Sequence, residues 1–130
     1  MILETAQIMS TVMHKKNVEG PYLPTHSKHP CVLWAEQSMS NYTWLGKLGY
    51  ELNKEYMFRY SKKTPHASKN IIDVCMNFNF PDQGLTPFAQ AMPEEYKVDG
   101  NAVKAYRKFY KGEKAHFAKW TKRATPIWFK

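Results

Sequence analysis

Apolar residues recur along this chain at intervals of three and four, the repeat of a helix that buries one side. Ile2, Ala6, Met9 and Met13 form such a stripe, widened by Leu3, and predict a helix over 2–14. No Ser, Thr, Asp or Asn stands ahead of it as a cap, so the chain reads as lacking a segment that would precede Met1. Residues 15–29 hold Gly20, Pro21 and Pro24 and predict a loop. Pro30 suits the first turn of a second helix, where its missing N–H is no loss, with Val32, Leu33 and Trp34 as apolar content. Ser38 or Ser40 can cap a third helix, in which Leu45, Leu48, Leu52 and Tyr56 make a stripe continuing to Tyr60. Gly46 and Gly49 inside it each cost about 1 kcal/mol against alanine, and so predict close helix–helix approach.

Thr64 and Pro65 read as cap and first-turn proline of a fourth helix with Ile71, Ile72, Cys75 and Met76 inward. Residues 80–98 contain Pro81, Gly84, Pro87 and Pro93 and predict a loop with at most one short turn, at Pro93–Tyr96. Asp99 then caps a long last helix over 100–122, stopped by Thr125 and Pro126 and followed by the aromatic tail Ile127, Trp128 and Phe129. No alternating run of β-branched residues competes. The predicted architecture is all-α: a single helical domain over 1–130, a compact bundle of four or five helices with a long proline-rich loop.

Seven Phe, eight Tyr and four Trp in 130 residues supply enough apolar surface for a core, which excludes a disordered chain. No run of about 18 apolar residues occurs, and the N-terminus lacks a basic flank, so neither a membrane partner nor a secretory signal is expected. Cys31 and Cys75 make no C-x-x-C pair and no disulfide framework, which fits a reducing cytoplasm.

Charge changes the picture most. Of the net +8, +7 lies between Asp99 and Lys130, where nine Lys or Arg meet two acids. On the expected last helix Val103, Tyr106, Tyr110, Phe117 and Trp120 fall on one side. Lys104, Lys108, Lys111, Lys119 and Lys122 fall on the other, with Arg107 and Lys114 at its margin. Like charges at helical neighbours repel, and only Glu113 relieves the segment. A plainly solvated face is the bland account of such a run; a docked polyanion, whose phosphates would release condensed counterions, is the sharper one. The tail interleaves Lys119, Lys122 and Arg123 with Trp120, Trp128 and Phe129, a mixture that can hold phosphates while bases stack; the alternative is that Trp120 and Trp128 close the bundle, the reading preferred for Trp120.

Other constellations are thinner. His26, His29 and Cys31 fall short of a metal site, which needs three or four ligands, so no metal is implied. The two histidines read as loop and helix-start residues; alternatively they line a cleft and move protons. Glu4, Glu51 and Glu55 lie on helices and are more simply solvated than catalytic. No phosphate-binding glycine loop, nucleophile elbow or H-E-x-x-H occurs, and no cofactor is implied.

The segments MILETAQ, HPCVLWAEQSMSNYTWL, EYMFRYSKK, LTPFAQAMPEEYK and AYRKFYKGEKAHFAKWTKRATPIWF resemble a family of small proteins of tailed bacteriophages of marine bacteria. The resemblance covers nearly the whole chain and implies a further N-terminal segment with a His-rich stretch; it carries over no activity. A more distant resemblance runs to the phage pyrimidine-dimer DNA glycosylases of the endonuclease V type, small basic helical proteins with an aromatic-basic C-terminus similar to WTKRATPIWF. Those enzymes attack a flipped-out damaged nucleotide with an N-terminal amine, helped by a glutamate. The resemblance implies Glu4 for that glutamate. Because Met1 begins inside the first helix, the chain is expected to bind DNA without completing the chemistry.

Three readings follow. The first is a nucleic-acid-binding protein, with DNA as partner, using Lys104, Arg107, Lys108, Lys111, Lys119, Lys122, Arg123 and Trp128, with Tyr110 nearby. The second is a small enzyme acting on a nucleotide or phosphorylated metabolite, with His26, His29, Glu4 and Tyr56 lining a cleft. The third is a non-enzymatic adaptor for an acidic host protein.

Overall fold

The computed structural model describes residues 1–129, and among these every regular element is helical. The chain divides into two compact units, Met1–Thr86 and Pro87–Lys130. Among the described residues no helix is long and apolar enough to cross a membrane.

In the first unit, helix α1 (Ile2–Lys15) packs against α2 (Pro30–Glu36), α3 (Met39–Arg59) and α4 (Ala67–Cys75). Three neighbours bury it round most of its circumference: Ile2, Ala6, Met9 and Met13 as the spacing predicts, and Thr5, Ser10, Thr11 and Val12 besides. Leu3 does not widen the stripe; it is 44% exposed, and the inward face broadens on the opposite flank through Thr5 and Val12. No side chain caps α1, as expected.

Buried hydroxyls on such a helix need partners. Ser10 and Thr11 donate to the carbonyls one turn back, of Ala6 and Gln7, each at 2.8 Å. The same oxygens accept the N–H groups of Tyr22 at 3.3 Å and Thr25 at 3.1 Å. His14 Nε2 lies 2.9 Å from the Tyr22 carbonyl. The loop that its glycine and prolines predict is thereby tied along α1.

Pro30 does open α2, and Ser38 caps α3 by accepting the Ser40 N–H at 3.3 Å. The cap is doubled from a distance. Asp82 Oδ1 accepts the Ser38 hydroxyl at 2.6 Å, the Ser40 N–H at 2.9 Å and the Gly84 N–H at 3.1 Å. A carboxylate at a helix N-terminus is stabilised by the N–H groups that no turn satisfies. Those donors hold Asp82 well below the usual carboxylate range. Buried Asn41 continues the latch: its Nδ2 donates to the Trp34 carbonyl and to Thr86 Oγ1, both at 2.8 Å, and its Oδ1 accepts the Thr86 N–H at 3.0 Å.

Of the expected α3 stripe only Leu45 is fully in the core; Leu48, Leu52 and Tyr56 are half-buried. The inward row is Tyr42, Leu45, Gly46, Gly49 and Asn53. The glycines do mark close approach. A Cβ on Gly49 would stand 2.6 Å from Ile72 Cδ1 of α4 and 3.0 Å from Thr5 Cγ2 of α1, and one on Gly46 would meet Met76 and Met9.

Two helix starts differ from the sequence reading. α4 begins at Ala67, not after Thr64, because Asn53 Oδ1 takes the His66 N–H at 2.8 Å and His66 Nδ1 accepts the Ser68 N–H at 3.0 Å as the cap. Ile72 and Cys75 are buried as expected, while Ile71 and Met76 are only half-buried. In the second unit the last helix, α5 (Ala102–Phe109), is capped by Asn101 rather than Asp99 and ends far short of 122. A single π-helical turn (Tyr110–Lys114) and a short 3₁₀ turn (Ala115–Phe117) follow it. Residues 80–98 form the expected loop, with one 3₁₀ turn at Glu94–Tyr96.

Gly49→Val forces branched methyls into the α1–α4 crossing, and overpacking of this kind costs about 1–3 kcal/mol; the urea midpoint should fall at unchanged slope. Asp82→Asn should lower the unfolding temperature at neutral pH. A depressed carboxyl contributes stability that is present above the unfolded-state value of about 3.9 and is lost as pH falls through the folded-state value. The gap between the parent chain and Asp82→Asn should therefore narrow below about pH 4, which thermal unfolding at pH 7 and pH 3 measures.

Candidate nucleic-acid interface

The basic segment belongs to the second unit, where hydrogen bonds fix α5 to the loop before it. Gln90 closes the loop by donating to the Val98 carbonyl at 2.6 Å and accepting the Val98 N–H at 2.9 Å. The Tyr106 hydroxyl donates to the Ala89 carbonyl at 2.9 Å and accepts the Ala91 N–H at 3.1 Å. Asn101 Oδ1 accepts the Lys104 N–H at 3.1 Å, the usual service of an asparagine cap.

Gly112 and Tyr96 account for the end of the helix. The Tyr96 ring meets Phe109 edge-on at 5.4 Å, and its hydroxyl donates to Glu113 Oε1 at 2.9 Å. A Cβ on Gly112 would stand 2.5 Å from the Tyr96 hydroxyl oxygen. The helix here accepts one extra residue in its turn, and only a residue without a side chain lets Tyr96 sit against it. The hydrogen bond to Glu113 pushes the Tyr96 phenol above its ordinary value.

Beyond Phe117 the chain turns extended at Ala118 and folds back. Trp120, Trp128 and Phe129 gather on Tyr110, with ring centroids 5.9, 6.2 and 5.9 Å from it. Trp120 thus meets Tyr110 through tail folding, not through helical periodicity. Its indole N–H is buried and has no acceptor among the described residues. The packed side of α5 also differs from expectation. Ala105 is fully buried with Phe109 half-buried beside it, while Val103 is 58% and Phe117 55% exposed.

The cations divide accordingly. Lys104, Arg107, Lys108 and Lys111 share one side of α5 and the turn after it, within about 100° of arc, and all are exposed. The Arg107 guanidinium lies 5.3 Å from the Trp128 ring centroid, a cation–π distance. Among the described residues none of these four makes an ion pair. Lys119, Lys122 and Arg123 are exposed but not helical, and Lys122 has a left-handed backbone at φ 58°. The single lysine face running to 122 is therefore replaced by a shorter basic helix and a separate basic tail. Lys114 leaves the group altogether, its ammonium 5.4 and 5.5 Å from the Phe109 and Phe117 rings.

The residues considered for catalysis lie in the first unit. Glu4 Oε2 pairs with the Met1 ammonium at 2.6 Å on an exposed surface, and that hydrogen bond holds its carboxyl below the ordinary value. His29 caps α2, its Nδ1 accepting the Cys31 N–H at 3.0 Å. Exposed His26, in a left-handed conformation at φ 47°, accepts the His29 N–H on its carbonyl at 2.8 Å. Tyr56 packs its ring 5.1 Å from His66. No hydrogen bond joins Glu4 to either loop histidine, and among the described residues no three His, Cys, Asp or Glu side chains converge as a metal would require. Glu51 and Glu55 instead pair with Lys54 and Arg59 on their own helix, at 3.2 and 2.8 Å.

Sequence reasoning passed over Tyr96, Gln90 and Asn101. A glycine at 112 inside an otherwise helical run was the available signal for the break. Comparison with family models, curated proteins and solved structures finds no significant match to this chain.

Glu113→Gln removes the carboxylate that raises Tyr96. The titration midpoint of Tyr96, followed by its ring resonances, is expected to move down toward the ordinary phenol value near 10. An unmoved midpoint would show that this contact does not hold the end of α5.

Proposed function

We propose that this protein binds nucleic acid, with DNA as the partner, through the basic side of α5. The observation that carries the reading is that Lys104, Arg107, Lys108 and Lys111 crowd about two turns with no carboxylate among the described residues to pair with them. Repulsion at that spacing favours a docked anion. From Lys104 to Lys111 the helical rise amounts to about 10 Å. A DNA strand offers one phosphate per about 3.4 Å, so three lysines and three successive phosphates have similar charge density. Arg107 against Trp128, with Tyr110 and Trp120 beyond it, supplies the aromatic component that bases can stack on. Lys119, Lys122 and Arg123 add charge from the tail. The protein would act in the cytoplasm of a phage host, and the resemblance to pyrimidine-dimer glycosylases makes duplex carrying such a dimer the first ligand to compare with intact duplex.

Binding to a short duplex should weaken with salt. Four phosphate contacts give a slope of log K on log salt of about −3.6, and removing a lysine contact reduces it by about 1. Lys104→Ser, Lys108→Ser and Lys111→Ser combined are expected to bring the slope to about −1, read by fluorescence anisotropy. A slope near zero for the parent chain would dismiss the reading.

A further inference from the structure

A second surface lies on the outer side of α3, within the first unit. Two adjoining hollows open there. One, of about 350 Å³, is lined mainly by apolar atoms, with Met39, Thr43, Trp44 and Leu85 around it. The other, of about 460 Å³, runs between α3 and α4 and is lined by the polar and charged residues Tyr50, Glu51, Asn53, Lys54, Lys69 and Asp73. Lys47 lines both.

The charges in these hollows are matched almost one for one. Asp82, at the rim of the first, already accepts from Ser38, Ser40 and Gly84. In the second, Asp73 accepts from Lys69 at 3.0 Å and from the Tyr50 hydroxyl at 2.8 Å, and Glu51 from Lys54 at 3.2 Å. That leaves the Lys47 ammonium, exposed and in no ion pair among the described residues, at the junction of the two hollows. Trp44 is 39% exposed and is held in T-shaped contact at 5.8 Å by Trp34. Trp34 is itself anchored, its indole N–H donating to the Thr86 carbonyl at 3.2 Å. A fixed aromatic beside a single unmatched cation fits a ligand with a flat ring and one phosphate.

We infer that the Trp44–Lys47 groove binds a nucleoside phosphate, its base against Trp44 and its phosphate on Lys47. This chemistry has two sources, a free mononucleotide or one nucleotide of a single strand. The site is distinct from the basic side of α5 and stands whether or not that side binds DNA.

The test titrates the full chain with a nucleoside 5′-monophosphate, the uncharged nucleoside, inorganic phosphate and a short single-stranded oligonucleotide, read by equilibrium dialysis. Nucleoside and inorganic phosphate are each expected to bind at least about tenfold more weakly than the joined molecule, since each forgoes one of the two contacts. Lys47→Met, on an exposed position, and Trp44→Leu, with its fold checked by circular dichroism, should each weaken binding by about tenfold. The combined Lys104, Lys108 and Lys111 variant should leave binding of the monophosphate unchanged. Binding of the free monophosphate assigns the first source; binding of the oligonucleotide alone, measured in the combined α5 variant and lost when Lys47→Met is added to it, assigns the second. Monophosphate binding that survives Lys47→Met or disappears in the α5 variant, or the absence of both monophosphate binding and Lys47-dependent oligonucleotide binding, overturns the inference.

Discussion

The first unit is organised by the burial of α1 on most of its circumference. A helix surrounded on three sides gains the hydrophobic contribution of Ile2, Ala6, Met9, Val12 and Met13, but it also takes hydroxyls out of water. Ser10 and Thr11 each satisfy a carbonyl of their own helix and then accept an N–H from the following loop. The loop is placed by that need as much as by its prolines. On the other side, α1 and α4 approach α3 only because Gly46 and Gly49 present bare backbone, against which Thr5, Met9, Ile72 and Met76 seat. A glycine inside a helix is unfavourable by itself, so tertiary packing outweighs local propensity here.

Electrostatics separate the two units. In the first, several cations are answered by carboxylates: Lys15 by Glu36 across two helices, and Lys54, Arg59 and Lys69 by Glu51, Glu55 and Asp73 one turn away. Pairs of this kind near the surface contribute only about 0–1 kcal/mol each, so their importance is less to stability than to the field. They cancel part of it. In the second unit Lys97 is answered by Glu94, while Glu113 accepts from Tyr96 instead of from a lysine. The uncancelled field of α5 then reaches solvent, where it steers anions at a range set by ionic strength.

Helix existence was legible, and helix ends were legible only where local chemistry decides them. Pro30 in the first turn of α2 and the absence of a side-chain cap at Met1 follow from the residue itself, while of the two serines that can cap a third helix it is Ser38 that does. The starts at Ala67 and Ala102 were misplaced because partners distant in sequence or unconsidered fix them, Asn53 in one case and Asn101 in the other. The doubling of the α3 cap by Asp82, some forty residues on, leaves no periodic trace. For the basic segment, composition located the charge correctly, but a uniform 100° per residue carried the helix through Gly112. Tyr96, in the preceding loop, overrides that extrapolation. Whether Glu4 and the loop histidines meet was never readable from spacing, since that depends on tertiary approach.

The break after Phe109 changes what the basic segment can do. A helix running to 122 would carry its lysines on one rigid rod, with every phosphate contact set by a single axis. Instead, Lys104, Arg107, Lys108 and Lys111 are positioned by a short capped helix, and Lys119, Lys122 and Arg123 by a tail anchored through Trp120, Trp128 and Phe129 on Tyr110. Arg107 against Trp128 is one point where helix and tail touch. Charge on the helix therefore depends on backbone hydrogen bonds, and charge on the tail depends on aromatic packing. The two cationic groups are thus separable in principle: loosening the aromatic cluster would displace the tail's charge and leave that of α5 where the Asn101 cap and the Tyr106 latch hold it.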